Sequence, residues 1–192
     1  SAVNAANVFL QNQFTDVWTS RLTATQGTDL FRDELNGQQT SFFKTQNRSL
    51  TWQNGLAVAA GQTLTLGAET LGQAVNSTVV YTRDSRTVNS AFGGYTGTFG
   101  RNTLQGNLRY DHYNDFGGKT TYLAGYGYQL LEGLRATASY SHGFRAPSFN
   151  ELYFPGFGNP DLGPETSTSF ETSLRWREGV HRATFTAYQN RI

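Results

Sequence analysis

LRATASYSHGFR, residues 134–145, alternates residue by residue: Leu134, Ala136, Ala138, Tyr140 and Phe144 share one face of an extended chain, and Arg135, Thr137, Ser139, Ser141 and Arg145 share the other. Successive side chains of a strand point to opposite faces, so a period of two marks a strand with unlike surroundings on its two sides. The same alternation recurs on both sides of this stretch. To the C-terminal side, Phe170, Leu174 and Trp176 oppose Ser169, Glu171, Ser173 and Arg175; to the N-terminal side, Tyr122, Ala124, Tyr126, Tyr128 and Leu130 form one row. Extended over the chain, the pattern predicts ten strands, at about 4–14, 17–32, 40–58, 63–74, 87–99, 103–113, 119–130, 134–145, 166–177 and 180–191. The fifth is glycine-rich and its facing is ambiguous. Gly, Asn and Thr are frequent, Pro is confined to residues 147–164, and helical periodicity is absent, so the chain reads as all-β.

The connections alternate in length. Tight turns follow the odd strands, as at Thr15-Asp16, Ala60-Gly61-Gln62 and Leu131-Glu132-Gly133, and most longer connections follow the even ones. The longer connections are expected over 33–39, 75–86 and 114–118, with a long Pro/Gly-rich loop after residue 145. Short turns on one side of a membrane and long loops on the other are the signature of an antiparallel up-and-down transmembrane barrel, with apolar side chains facing lipid and polar ones facing a hydrated lumen. Composition agrees. Charged residues make up 15% and aromatics 14%, and Lys44 and Lys119 are the only lysines, whereas soluble β-proteins guard their surfaces and sheet edges with charge, lysine above all. A mean hydropathy of −0.50 is what a barrel with a polar lumen gives.

Other classes find less support. A net charge of +1 supplies no concentrated basic surface for nucleic acid. Without cysteine there are no disulfides and no thiolate metal sites. The three histidines lack metal-site spacing, Asp29, Asp33 and Glu34 are too few for an acidic calcium loop, and no cofactor is expected. The N-terminus carries neither Met nor a signal-peptide pattern, so an internal or processed segment is expected.

Several blocks resemble the C-terminal half of the barrel of TonB-dependent outer-membrane receptors, which import ferric siderophores and cobalamin. They are Arg109-Tyr110-Asp111, Phe116-Gly117-Gly118, the run Ser139 to Ser148 with Glu151-Leu152-Tyr153, and Gly158-Asn159-Pro160-Asp161-Leu162-Gly163-Pro164-Glu165-Thr166. The branch most similar is the cobalamin-transporter-like one. The resemblance implies a bacterial outer-membrane protein, and residues 1–192 would be part of a barrel of about 22 strands without its plug domain and final strands. Its partners would be outer-membrane lipid, the TonB energy-coupling complex acting through the missing plug, and a cobalamin or siderophore ligand. Ten strands alone would leave open edges, through which the piece is expected to self-associate.

Arg145, Ala146, Pro147, Glu151, Leu152, Tyr153, Asn159, Pro160, Asp161, Leu162, Pro164 and Glu165 carry the loop motif. Four prolines stiffen it, and Asn159-Pro160-Asp161 initiates a turn. One reading is a rigid loop sealing strand eight to strand nine. The other is a ligand surface at the barrel mouth made by Tyr153, Phe154 and Phe157. Glu69, Arg109, Asp111, Glu171 and Arg175 are expected on the lumen face.

Two further readings stand beside the barrel. A soluble all-β binding or adhesin module would have the same alternation. A ten-stranded outer-membrane protease of the omptin type would use acidic residues with a histidine, for which Asp111, His112, Asp115 and His142 are the candidates. Asp111 and His112, however, point to opposite faces of a strand, and the omptin pattern itself is not matched.

Overall fold

The computed structural model describes all 192 residues. Ten antiparallel strands form one sheet in sequence order, each paired with its chain neighbour. They are β1 (Ala2–Thr15), β2 (Trp18–Leu35), β3 (Gln38–Ala59), β4 (Gln62–Ser77), β5 (Ser85–Phe99), β6 (Asn102–Tyr113), β7 (Gly117–Leu131), β8 (Leu134–Arg145), β9 (Glu165–Glu178) and β10 (His181–Arg191). A single short helix, α1 (Phe149–Tyr153), lies in the β8–β9 connection. The up-and-down order is the predicted one, and the sheet does not close on itself within this chain.

Three expectations need correction. The loop expected over 33–39 is a bare turn, because the β2–β3 ladder continues to the Leu35–Gln38 pair. Asn36 and Gly37 carry the reversal at φ 53° and 77°, the left-handed angles of a type I′ hairpin turn. Here polar and apolar residues are mixed on both faces of the hairpin, Leu30 and Phe42 on one and Phe31 and Phe43 on the other, so no alternation marks the strand ends. The connection expected over 75–86 shrinks to residues 78–84, and Val75 and Arg86 sit buried in β4 and β5. Helix α1 interrupts a connection expected to be irregular throughout, since five residues are too few to express a helical period.

The sheet has one apolar and one polar face. Register places Leu22 opposite Trp52 and Ala24 opposite Leu50, and on the far side Ala68 opposite Trp52, so these side chains form a continuous patch. Its indoles satisfy their own N–H groups without water: Trp18 donates to Asn54 at 3.0 Å and Trp52 to Ser20 at 2.9 Å. In a hydrocarbon medium any unpaired donor would cost several kcal/mol.

Only 11 of 192 residues are buried, and the buried apolar ones are Val75, Val88, Phe149 and Leu152, all where the β8–β9 loop meets the wall. The accessible surface is 12816 Å², against roughly 9,100 Å² for a folded soluble monomer of this mass. A sandwich would bury the apolar face against a second sheet; this chain has a single sheet, which removes the soluble-module reading. β3 runs for 22 residues, about twice the 9–11 residues a tilted strand needs to cross a bilayer.

Candidate functional site

The polar face carries a charge network at its middle. Arg109 donates to Glu69 at 2.8 Å through Nη2 and to Asp111 at 2.8 Å through Nε, with a further 2.8 Å bond to Ser90. Ser90 in turn donates to Asp111 at 2.5 Å, and Thr51 to Glu69 at 2.8 Å. β5 and β6 bring this about because Ser90 pairs directly with Asp111 in the ladder. Two carboxylates therefore share one guanidinium, each with a hydroxyl donor as well, which fixes the group as part of the wall. Glu171 and Arg175 lie on β9, apart from this cluster, with Glu171 opposite Ser139 and Arg175 opposite Arg135.

The histidine candidates separate. Asp111 is committed to Arg109 and Ser90, while His112 is exposed on the other face. His142 stacks on Tyr122 at 5.3 Å, and Asp115 lies under the loop.

Above the network, residues 146–164 fold onto the polar face. Their two ends are tied by one side chain. Arg145 reaches Glu151 at 2.8 and 3.1 Å and Glu165 at 2.9 and 3.0 Å, a fork that holds both carboxylates at once. Ser148 caps α1: its Oγ accepts from the Glu151 N–H at 3.3 Å, and its own N–H donates to the Glu151 carboxylate at 2.7 Å. Arg145 first, then the Ser148 backbone N–H, holds the Glu151 carboxyl well below its usual range, at about 2.

Past the helix, the Asn159 N–H donates to the Glu151 carbonyl at 2.8 Å, and the Asn159 side chain accepts from the Asp161 N–H at 3.1 Å, the turn expected at Asn159-Pro160-Asp161. Gly158 lies where a Cβ would strike the Leu152 carbonyl, so the chain can close over Leu152, which is 2% exposed, only with glycine there.

The loop is pinned to the wall by Arg86, which lies buried on β5. It donates to the Pro147 carbonyl and to Gln73, both at 2.7 Å, and stands 5.0 Å from the Phe149 ring and 5.6 Å from the Tyr113 ring. Phe144, at the end of the β8 apolar row, sits edge-on to Tyr113 at 5.9 Å. A second pin is the Tyr153 hydroxyl on Asp115 at 3.3 Å, and burial raises the Tyr153 pKa. Tyr81, from the β4–β5 connection, bonds Asn150 and meets Phe154 edge-on at 5.8 Å. Phe157 is 89% exposed, and its ring lies 6.2 Å from that of Phe154.

The three aromatics expected to act together thus divide: Tyr153 and Phe154 anchor the loop, and Phe157 is free at the rim. A cavity of about 250 Å³ remains beneath α1, lined by Phe43, Thr45, Gln73, Arg86 and Phe149. It falls short of the ~300–1,000 Å³ usual for small-molecule pockets.

Arg86, Tyr81 and Phe149 escaped sequence reasoning. The usable signal was the row Arg86, Val88, Ser90, buried at every second position, but Gly93 and Gly94 blur the parity of β5. A cation on a mixed row of this kind needs partners from another segment, which a single sequence does not supply.

The sequence model of the TonB dependent receptor-like β-barrel matches residues 2–192. The chain is 29% identical over 178 residues to the vitamin B12 transporter BtuB of Photobacterium profundum, covering 92% of this chain and 29% of that protein. To BtuB of Vibrio vulnificus it is 32% identical over 160 residues, covering 80% and 26%. Among solved structures, the siderophore receptor PirA of Pseudomonas aeruginosa aligns at a TM-score of 0.82 and 21% identity, over 98% of this chain and 39% of that one. The ferric enterobactin receptor PfeA of the same organism, in a mutant form, aligns at 0.81 and 17%, over 98% and 34%. The chain thus spans about a third of the length of the proteins it matches, and it belongs to the TonB-dependent receptor β-barrel family.

Proposed function

We propose that this chain is barrel wall and outer gate of a bacterial outer-membrane transporter that imports a bulky, scarce nutrient, cobalamin or a ferric siderophore. Energy would arrive from the TonB complex through a plug domain carried elsewhere in a longer protein, together with the strands that complete the barrel. The observation that carries this reading is the separation of faces. Large apolar side chains on one side have no protein to cover them, while Glu69, Arg109 and Asp111 are locked together on the other. The names of its relatives support the ligand class.

The connections 78–84 and 146–164 are extracellular in this reading, and the two-residue turns after odd strands are periplasmic. Tyr153, Phe154 and Phe157 form the ligand-facing aromatics. Phe157 makes first contact from the rim, and Phe154 and Tyr153 hold the surface in place. The small cavity under α1 belongs to the docking of the loop, and a ligand of this size occupies the wider mouth.

The test is a Tyr153→Ala/Phe154→Ala/Phe157→Ala variant of the intact receptor, assayed for binding and uptake of labelled cobalamin and of ferric siderophores. Loss of binding to one ligand with normal receptor abundance is expected. Full binding and uptake of every ligand that the unaltered receptor takes would remove these residues from the site.

A further inference from the structure

The cavity beneath α1 is bounded by the wall on one side and the loop on the other, and the hydrogen bonds of its lining can be followed outward from Arg86. That side chain is 8% exposed, and a guanidinium has only donors to offer. Its Nε meets Gln73 at 2.7 Å, so the Gln73 oxygen must face it and the Gln73 amide N–H must point away. That N–H donates to the Asn47 oxygen at 3.0 Å, which leaves the Asn47 NH2 group over.

The loop side is sorted in the same way. The Tyr81 hydroxyl donates to the Asn150 oxygen, and the Glu151 N–H to the Ser148 oxygen at 3.3 Å, which leaves the Asn150 NH2 group and the Ser148 O–H. Arg86 Nη2, Asn47 Nδ2 and Asn150 Nδ2 find no acceptor in the protein, and all three residues line the cavity. No carboxylate lines it. Glu151 is held by Arg145, and Asp115 stands 3.9 Å from Arg86 Nη1, outside the lining. Phe43, Val75 and Phe149 supply apolar walls.

We propose that this cavity binds a small carboxylate, its oxygens on Arg86 and the two asparagine amides and its short apolar body against Phe43 and Phe149. A buried guanidinium flanked by amide donors suits a planar anion, because a charge-assisted hydrogen bond is roughly twice as strong as a neutral one. Water matches the lining less well, since it brings as many donors as acceptors to side chains that have donors in excess. At about 250 Å³ the space is too small for cobalamin or a ferric siderophore. The site is therefore distinct from that of the cargo, and it stands whether or not the transport reading does. Arg86 and Asn47 belong to the wall and Ser148 and Asn150 to the loop, so one bound anion ties the two together and holds the loop down.

The experiment follows amide hydrogen exchange of residues 148–158 in the intact receptor with about 20 mM sodium propionate, or with propionamide, which has nearly the same shape and no charge. Sodium chloride keeps the ionic strength equal. A carboxylate this small is expected to bind with a Kd on the order of 1 mM. A ligand that binds only the docked loop slows exchange by the factor 1 + [L]/Kd, about 20-fold here. Propionamide should leave exchange unchanged, and the hairpin tip at 34–39 should respond to neither compound.

Asn47→Asp keeps the oxygen that accepts from Gln73 and puts a carboxylate oxygen in place of the free amide, so the propionate effect is expected to vanish. No slowing by propionate, or equal slowing by propionamide, overturns the proposal, as does a full propionate effect in Asn47→Asp. If that variant does not fold, the comparison of propionate with propionamide on the unaltered receptor decides alone.

Discussion

The β8–β9 loop and the β2–β3 hairpin both project from the same end of the sheet, yet different physics holds them. The loop has nineteen residues between Arg145 and Glu165 and almost no ladder, so side chains must order it. Arg145 binds its ends, Ser148 and Glu151 cap its helix, Leu152 fills its centre and Arg86 fastens it to the wall. The hairpin has no such fastening; Asn36-Gly37 reverses the chain and the backbone ladder does the rest. A loop whose position depends on a few named contacts can be released by breaking them, whereas a ladder comes apart only strand by strand.

The largest expected effect is at Arg86. Replacing it with Met leaves Asp115 buried without a cation and the Pro147 carbonyl without its donor, a loss of about 3 kcal/mol in loop docking. Hydrogen exchange of the amides in 148–158 should accelerate about a hundredfold, with the hairpin tip unaffected. Leu152→Ala follows, at about 2–3 kcal/mol for a buried leucine, read as protease cleavage within 154–158 under conditions where the parent is resistant.

In the hairpin the equivalent weak point is Asn36, whose φ of 53° alanine tolerates poorly. Asn36→Ala should cost only about 1 kcal/mol, seen as local fraying of residues 34–39. The smallest effect is acid release of the loop. The folded-state pKa of Glu151, about 2, lies below its ordinary 4.5, so its contribution is complete above pH 4.5 and fades as pH falls toward 2. Protection of residues 148–153, corrected for intrinsic exchange rates, should decline across that window while the hairpin tip holds constant. Equal loss in both regions would mean that the clamp is not what orders the loop.

Strands are legible in the sequence where lipid and water meet across them. Leu134–Arg145 is delimited to the residue because each face has its own solvent, and the same contrast locates most of the other strands. Legibility fails where that contrast vanishes. The outer part of β2 and β3 mixes polar and apolar residues on both faces, so a long ladder looks like a loop over 33–39, and the glycines of β5 hide the face that carries Arg86.

The candidate site is legible in part. Parity alone puts Glu69, Arg109 and Asp111 on one face, and the motif residues from Arg145 to Glu165 stand out together. The division of Tyr153 and Phe154 from Phe157 depends on contacts with Asp115 and Tyr81, residues 38 or more positions away in the chain, which no local pattern records.

The transport reading depends on the apolar face being the one that meets hydrocarbon. The chain contains no cysteine, so single cysteines at 49, 50, 51, 52 and 53 can each carry a spin label in an intact receptor freed of any cysteine elsewhere and reconstituted into a bilayer. Labels at 50 and 52 are predicted to collide with dissolved oxygen and to be shielded from a water-soluble nickel chelate, and those at 49, 51 and 53 to show the reverse. Equal accessibility at all five positions, or the opposite alternation, would contradict the assignment of faces.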